Sequence, residues 1–330
     1  PDTTRIVGYD EYQDKLECIE GKLYIPDSAI NKRVIIEIDN DRKSCLYDMC
    51  KSFTEMRKPY KEMKSKEGDS KSNALKIMVN TFYGANTNSY INYGDMATGI
   101  SITGVARYLL EYAIRLCREK YGEKSVIYSH TDSVYCNRDV DVDWLTNRLR
   151  LILEATIPNV ESEWIRLDKD EYKEGVWLAI GNYALRKQDG SLVKHGSNFK
   201  SKNRSDFYKM TLNKLIDARI DNKVTTAFVD DLYDFDSLDM EIFMQRRTLN
   251  RKLEDYKSTT DMMLTLCEQG STVGIEPRPR TQYDYYKTKD GYRIKELVES
   301  KTELDVRYYW DIVSGLLRKF GLEREIKKNP

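Results

Sequence analysis

The sequence predicts an α+β protein in which antiparallel hairpins and helices follow one another along the chain. Residues 126–137 contain two short runs of β-branched and aromatic residues around a polar turn, which is the pattern of a hairpin. Residues 97–121 carry apolar side chains at helical spacing. Residues 164–185 contain three further apolar runs of strand type. Helices between strand pairs are typical of this class.

Length, net charge and the absence of long apolar runs in the sequence limit the kinds of protein that it can encode. The 330 residues are enough for two or three domains. The 54 Lys and Arg balance the 54 Asp and Glu, so net charge favours no particular partner. No apolar run is long enough to span a membrane and no signal-peptide pattern is present, so we expect an intracellular protein without a membrane partner. Because the first residue is Pro1 and not Met, we expect the downstream part of a longer protein or a processed product.

The cysteines disfavour a disulfide framework or a zinc site, and the histidines exclude a multi-histidine metal site. The six cysteines show no Cys-x-x-Cys spacing, which favours reduced thiols over a disulfide framework or a zinc site. His130 and His195 are the only histidines, which excludes a multi-histidine metal site.

Strands open the chain and two helices follow. The strand candidates are residues 21–26 and 33–38. Residues 41–66 and 71–88 have helical character, and the hydrophilic residues 67–70 predict a break between them. The two helices would form an antiparallel hairpin, which Pro59 would kink or interrupt.

This helical hairpin is rich in cations. Residues 42–76 contain ten Lys or Arg against five Asp or Glu. One interpretation is a solvated helical pair, and the other is a basic surface that meets phosphates. Arg57 and Lys61 are four residues apart, as are Lys76 and Asn80, so each pair can share a helix face.

The middle of the chain alternates helix and hairpin. Gly122 is the expected C-cap of the helix at 97–121, and a further helix is expected to begin at Asp141. Strand candidates follow at 164–167, 175–180 and 182–185.

A second basic region follows the last of these strands. Residues 186–209 contain seven Lys or Arg against two Asp or Glu, interspersed with Gly and aromatic residues. This pattern suits a groove along a sugar-phosphate backbone, and an exposed loop explains the composition equally well.

The remainder, from residue 207, is predicted to be mostly helical and to form a separate domain. The helix candidates are 208–220, 222–233, 236–247, 258–269 and 305–320, with an irregular segment at 272–296.

The helix predicted at 71–88 and the tip of the hairpin at 126–137 both carry residues suited to nucleotide chemistry. Lys76, Asn80 and Tyr83 fall near one helix face at i, i+4 and i+7. A cation there can pair with phosphate and an aromatic ring can pack on a base. Asp132, at the tip of the predicted hairpin, can offer a carboxylate to a hard cation. An ordinary polar turn is an equal alternative for that tip.

These two segments, in this order along the chain, resemble the family B DNA polymerases. The second polymerase motif of that family has the pattern Lys-x-x-x-Asn-Ser-x-Tyr-Gly, and the third has Tyr-x-Asp-Thr-Asp-Ser. The second is matched at Lys76, Asn80, Tyr83 and Gly84, with Thr81 in place of Ser. The third is matched at Tyr128, Thr131, Asp132 and Ser133.

Supporting likenesses extend over nearly the whole chain. Arg57 and Lys61 resemble the Arg-x-x-x-Lys pair of the family's first finger helix. Residues 182–196 resemble the Lys-Lys-Arg-Tyr region that follows the primer, residues 304–321 the end of the thumb, and residues 1–3 the segment after the first motif.

The resemblance implies a polymerase palm with an antiparallel sheet, helical-hairpin fingers and a mostly helical thumb. The implied division is the N-terminal part of the palm at 1–40, fingers at 41–88, palm with the catalytic hairpin at 89–205, and thumb at 206–330.

The resemblance also implies template-directed DNA synthesis by two-metal phosphoryl transfer, with two Mg²⁺ ions in the complete site. Asp132 would be the catalytic metal ligand. The implied nucleotide-binding residues are Arg57, Lys61, Lys76, Asn80 and Tyr83, and the implied DNA-binding residues are Tyr183, Lys194 and Arg204.

Three departures from the family pattern bear on activity. His130 stands where the family has the first Asp of the third motif, and Gly181-Asn182 replaces the Lys-Lys pair before Tyr183. No Asp-x-x-Ser-Leu-Tyr-Pro segment, the source of the family's other metal-binding Asp, occurs in the sequence. We therefore expect this chain to be incomplete by itself and to need an upstream segment or subunit that carries the first motif.

Two other functions compete with this one. A catalytically degenerate, polymerase-like DNA-binding subunit is favoured by the first two departures. A nuclease is disfavoured because only one candidate carboxylate is well placed. The expected partners are primer-template DNA, deoxynucleoside triphosphates and the upstream segment, with a sliding clamp as a further candidate. The expected location is the cytoplasm or nucleoid, or a host cell if the protein is viral.

Overall fold

A computed structural model describes residues 4–39, 45–88, 90, 94–196, 199, 204–256 and 262–322. Helices and small antiparallel sheets make up the described chain, so the predicted α+β class is confirmed. The chain divides into two compact units, Pro1–Lys169 and Asp170–Pro330. Among the described helices, none combines the length and the apolar character that crossing a bilayer requires. The predicted division into four domains remains a prediction.

The first unit begins with a four-stranded antiparallel sheet in the order β1-β4-β3-β2. Its strands are β1 (Thr4–Glu11), β2 (Glu17–Ile19), β3 (Lys22–Asp27) and β4 (Lys32–Ile38). The strands predicted at 21–26 and 33–38 are therefore confirmed. Alternate apolar residues such as Leu23, Ile25 and Ile36 are buried in a core shared with the long helix that follows later in the chain.

A helical hairpin follows, formed by α1 (Cys45–Glu62) and α2 (Lys66–Asn86). The break predicted at 67–70 is wrong, because these residues form the first turns of α2 and the connection is at 63–65. Gly68 is buried there, and a Cβ at this position would lie 2.7 Å from the carbonyl oxygen of Tyr60. This glycine therefore serves the close approach of the two helices and does not end one. Pro59 lies inside α1, which continues past it.

The long helix α3 (Met96–Tyr121) leads into a hairpin of β5 (Val126–His130) and β6 (Ser133–Cys136), followed by α4 (Val142–Thr156). Asp95 and Asp141 cap the two helices, and Gly122 ends α3 at a φ of 99°. The helix predicted at 97–121, the hairpin and the helix start at Asp141 are confirmed. Apolar residues of α3, α4 and the hairpin form one core, so α3 supports the hairpin from below.

The strand predicted at 164–167 is wrong. Residues 162–164 form a single 3₁₀ turn, and residues 165–169 pair with no strand of the described chain. The guanidinium of Arg150 donates to the carbonyl oxygen of Ile165 at 2.7 Å and so satisfies that carbonyl without a sheet.

The second unit contains two three-stranded antiparallel sheets and four helices among its described residues. The first sheet has β7 (Tyr172–Ala179), β8 (Asn182–Lys187) and β9 (Leu192–His195), and the second has β10 (Gln245–Thr248), β11 (Gln282–Thr288) and β12 (Gly291–Ile294). The helices are α5 (Asp206–Ile220), α6 (Thr226–Leu232), α7 (Met262–Thr272) and α8 (Val306–Lys319).

Most predicted elements of this unit are confirmed. The strand candidates at 175–180 and 182–185 correspond to β7 and β8, and four of the five helix candidates correspond to α5–α8; residues 258–261 lie outside the described residues. The helix predicted at 236–247 is wrong. That segment forms a 3₁₀ turn at Met240–Phe243 and then enters β10, which pairs with β11.

Candidate active site

The tip of the β5–β6 hairpin presents Asp132. His130 pairs with Ser133, so Thr131 and Asp132 form a two-residue turn. Thr131 has a φ of 55°, a conformation that is unfavourable for a β-branched residue. Hairpin turns of this length require positive φ at the first position and usually place Gly or Asn there. Thr131 therefore has a strained backbone conformation directly before Asp132.

The Asp132 carboxylate is exposed and almost uncompensated. Its Oδ1 accepts one hydrogen bond, from the Ser133 hydroxyl at 3.2 Å, and no ion pair to it occurs within the described ranges. Such an oxygen ligand fits Mg²⁺, which is commonly bound through one or two carboxylates together with substrate phosphates. Within the described part of the chain, no group of three His, Cys, Asp or Glu side chains could hold a metal by itself. Asp132 therefore fits one position of a shared metal site.

His130 is part of an aromatic stack at the base of this tip. Its ring lies parallel to Tyr128, with centroids 6.3 Å apart, and Tyr128 contacts Tyr135 across the hairpin at 5.6 Å. His130 Nδ1 and the Thr131 hydroxyl are hydrogen-bonded at 3.2 Å. The residue that departs from the family pattern thus supports the strained turn.

The α2 helix presents the nucleotide-binding candidates of the second motif. Lys76 and Asn80 are exposed, and Tyr83 is 39% exposed. Among the described residues, the side chains of Lys76 and Asn80 form no ion pair and no hydrogen bond. Both α2 and the β5–β6 hairpin contact α3, so one helix supports both elements.

The candidates on α1 are already engaged. Arg57 Nε donates to the hydroxyl of Ser72 on α2 at 3.1 Å, which turns the guanidinium toward the second helix of the hairpin. Lys61 Nζ lies 3.1 Å from Asp168 Oδ2 in an exposed ion pair. Sequence reasoning did not find Asp168, because no local pattern links residues 107 positions apart.

Sequence reasoning also missed the cluster that holds the first half of α1. The carboxylate of Glu161 accepts hydrogen bonds from the Tyr47 hydroxyl and from Trp164 Nε1, the latter at 3.2 Å, and it lies 3.6 Å from Lys51 Nζ. Lys58 lies over the Trp164 ring at 5.6 Å. Together with the Lys61–Asp168 pair, these contacts fix α1 along the segment 161–168.

The DNA-binding candidates lie in the second unit. Tyr183 is 5% exposed and stacks on His195 with centroids 4.7 Å apart, so a direct DNA contact by its ring would need neighbouring side chains to move. Lys194 Nζ donates to Asn213 Oδ1 at 2.6 Å. Arg204 is exposed, and its guanidinium lies 4.7 Å from the centre of the Tyr208 ring.

Gly196 holds the end of β9 against the turn before β8. Its φ is 108°, and a Cβ at this position would lie 2.3 Å from Asn182 Oδ1. Only glycine tolerates both conditions. The Gly181-Asn182 pair that departs from the family pattern is therefore packed against Gly196.

Comparisons with known proteins support the resemblance. No protein-family model matches the chain. It is 25% identical over 285 residues to the DNA polymerase of Thermococcus gorgonarius and 22% identical over 277 residues to that of Thermococcus sp. (strain 9oN-7). Each match covers 78% of this chain and 35% of the relative. The chain thus spans about a third of the length of these curated relatives.

The fold agrees with the sequence comparison. The chain matches the structure of the family B DNA polymerase from Pyrobaculum calidifontis with a TM-score of 0.57 and 18% sequence identity, over 99% of this chain and 42% of that one. The predicted resemblance is therefore confirmed: curated relatives named DNA polymerase match the chain in sequence, and the structure of a family B DNA polymerase matches it in fold.

Proposed function

We propose that this chain is the fingers, palm and thumb portion of a family B DNA polymerase and takes part in template-directed DNA synthesis. The observation that carries the proposal is the position of Asp132, an exposed carboxylate that accepts a single hydrogen bond on a strained hairpin tip, in a chain with this fold. A strained backbone conformation persists only where the surrounding structure enforces it, and such conformations are found most often at functional sites.

The incoming deoxynucleoside triphosphate would meet the α1–α2 hairpin. Lys76 is exposed and without an acidic partner among the described side chains, so its ammonium can pair with phosphate. The terminal nitrogens of Arg57 extend the same role, while Lys61 would exchange Asp168 for phosphate. Asn80 and Tyr83, further along the same face of α2, would contact the nascent base pair.

Asp132 would hold Mg²⁺ at the hairpin tip. Such ions, when bound, would supply activation of the primer 3′-hydroxyl and neutralisation of the charge on the leaving pyrophosphate. The second carboxylate would come from an Asp-x-x-Ser-Leu-Tyr-Pro segment on an upstream segment or a separate subunit. We therefore expect the 330-residue chain alone not to extend a primer.

Primer-template DNA would be held through its phosphates by Lys194 and Arg204, with Tyr183 in a supporting position in β8. Phosphate contacts fix position without reading sequence, as a polymerase requires. A sliding clamp is a further candidate partner.

Primer extension with Mg²⁺ tests the proposal. The reading frame upstream of this chain, or a neighbouring frame, is searched for Asp-x-x-Ser-Leu-Tyr-Pro, and that segment is supplied fused to the chain or as a second polypeptide. We expect extension only in its presence, and Asp132→Asn to lower the rate by on the order of 10³-fold, since a metal ligand is lost. Asp143→Asn, an exposed aspartate in the first turn of α4, is the matched control and should retain the wild-type rate.

Two outcomes would count against parts of this proposal. Metal-dependent extension by the 330-residue chain alone would exclude the need for an upstream carboxylate. Retention of activity in Asp132→Asn would exclude Asp132 as the metal ligand.

A second candidate function is a polymerase-like subunit that binds DNA without catalysis. It is favoured by His130, which stands in place of a family carboxylate and is built into the stack with Tyr128. This alternative predicts binding of primer-template DNA, with no extension even when the first-motif segment is supplied. An upstream frame that lacks the motif would also favour it.

A further inference from the structure

One carboxylate of the first unit pairs with a cation that the proposed function assigns to the triphosphate. Lys61 lies in the last turn of α1, and its Nζ lies 3.1 Å from Asp168 Oδ2. The family resemblance gives Lys61 a role in nucleotide binding and gives Asp168 none. The two side chains are 65% and 85% exposed, so an anion from solvent can reach the ammonium of Lys61.

The segment that carries Asp168 is held on both sides of this residue. The guanidinium of Arg150 on α4 donates at 2.7 Å to the backbone carbonyl oxygen three residues before it. Leu167 packs against the core formed by α3, α4 and the β5–β6 hairpin. Lys169 forms an ion pair with Asp139. The Asp168 carboxylate therefore extends from a backbone that its neighbours fix.

The helix that carries Lys61 is held against the same segment. The carboxylate of Glu161 lies 3.6 Å from Lys51 Nζ, and Lys58 Nζ lies 5.6 Å from the centre of the Trp164 ring. These two lysines precede Lys61 on α1 by about three helical turns and about one. Because both partners of the ion pair are held in place, the carboxylate meets the ammonium at a high effective concentration.

We propose that Asp168 is an internal competitor of the triphosphate for the ammonium of Lys61. A lysine ammonium binds carboxylate and phosphate oxygens alike, as a point charge. The incoming triphosphate opens the ion pair, and the pair forms again when pyrophosphate leaves. Asp168 thereby lowers the affinity of the site and favours release of the product. This inference rests on the proposed function, which places the triphosphate at Lys61.

The exposure of the ion pair sets the size of the effect. Exposed pairs are weak, and one of ordinary strength keeps Lys61 occupied in about half to four-fifths of the molecules. The apparent dissociation constant of a ligand rises as the reciprocal of the fraction of sites that are free to bind it. Removing the charge of Asp168 should therefore tighten triphosphate binding about two- to five-fold.

Isothermal titration calorimetry of the full chain with inorganic triphosphate, without Mg²⁺, measures this competition without DNA or the first-motif segment. We expect Asp168→Asn to bind triphosphate and pyrophosphate about two- to five-fold more tightly than wild type. Lys61→Met should bind both more weakly. In the Lys61→Met background, Asp168→Asn should add no further affinity, because the competitor acts through Lys61 alone.

Asp139→Asn is the matched control. It removes one carboxylate from another exposed Lys–Asp pair of the same unit, the pair with Lys169. Its affinity for triphosphate should equal that of wild type. The Tm of each variant, measured by circular dichroism, checks that the fold is retained.

The outcomes separate this inference from the proposed function. Equal affinities of wild type and Asp168→Asn would overturn the inference and leave the triphosphate site in place. A gain that persists in the Lys61→Met background, or that Asp139→Asn shares, would also overturn it, because general repulsion of anions would then be the cause. If neither wild type nor Asp168→Asn binds triphosphate, the nucleotide site of the proposed function is wrong, and the inference with it.

Discussion

Arg33 shows how a single buried charge organises the first sheet. It is 4% exposed on β4, and its guanidinium donates to Asp10 on β1 and, at 2.7 Å, to Glu17 on β2. It also lies 5.0 Å from the centre of the Tyr24 ring. Arg33→Met removes the charge-assisted hydrogen bonds to both carboxylates, and such bonds are stronger than bonds between neutral groups. We expect the Tm to fall by several degrees, measured by circular dichroism at neutral pH.

The same site predicts a pH dependence. The hydrogen bond from Arg33 lowers the pKa of Asp10, and those from Lys15 and Arg33 lower the pKa of Glu17. Lowered folded-state pKa values contribute stability above the ordinary values of 3.8 and 4.5, and this stability is lost as the pH falls below them. Arg33→Met should show a weaker loss of stability below about pH 4.5 than wild type.

The control for both experiments lies on the same sheet. Arg5 pairs with Glu37 at 2.6 Å, but its side chain is largely exposed, and exposed pairs contribute little. Arg5→Met should leave both the Tm and its pH dependence near those of wild type. Equal losses in the two variants would show that burial of Arg33 is not the cause.

At the scale of elements, the α1–α2 hairpin depends on the close contact at Gly68. A Cβ there would lie 2.7 Å from the Tyr60 carbonyl oxygen and 2.9 Å from the Met63 Cβ. Overpacking of this kind costs about 1–3 kcal/mol, which exceeds the gain of up to about 1 kcal/mol from replacing Gly by Ala in a helix. Gly68→Ala should therefore destabilise the hairpin and speed amide exchange across 45–86.

Gly84 on the same helix provides the opposite case. Nothing lies within 4 Å of a Cβ at that position, so Gly84→Ala should gain about 0.5–1 kcal/mol from helix propensity alone. Equal shifts of the same sign in both variants would contradict the role of the contact with Tyr60.

The two glycines also show what the sequence predicts and what it cannot. Periodicity and caps predicted α3, α4 and the β5–β6 hairpin because these signals are local. The break at 67–70 and the helix at 236–247 were wrong because a tertiary contact at Gly68 and strand pairing of β10 decide those segments. Motif spacing predicted Asp132 and Lys76 as site residues, and these remain predictions. It could not point to Asp168, whose ion pair with Lys61 exists only in the folded chain.

At the scale of the whole molecule, 54 cations balance 54 anions, so any affinity for DNA must come from local clusters. Residues 186–209, with seven cations against two anions, form such a cluster in the second unit. Each phosphate contact releases counterions and adds about 0.9 to the slope of log K against log salt. Replacing Lys194 and Arg204 together by Ala should therefore weaken primer-template binding and reduce the slope by about 2.

Fluorescence anisotropy of a labelled primer-template over a series of salt concentrations measures this slope. Lys214→Ala is the matched control, because Lys214 lies in the same unit and its charge is already paired with Asp231 at 3.0 Å. Its slope should equal that of wild type. The Lys194 hydrogen bond to Asn213 makes a fold check necessary, and an unchanged Tm in the double variant provides it. If the folded double variant keeps the wild-type slope, Lys194 and Arg204 make no phosphate contacts. The DNA phosphates would then contact other cations of the chain.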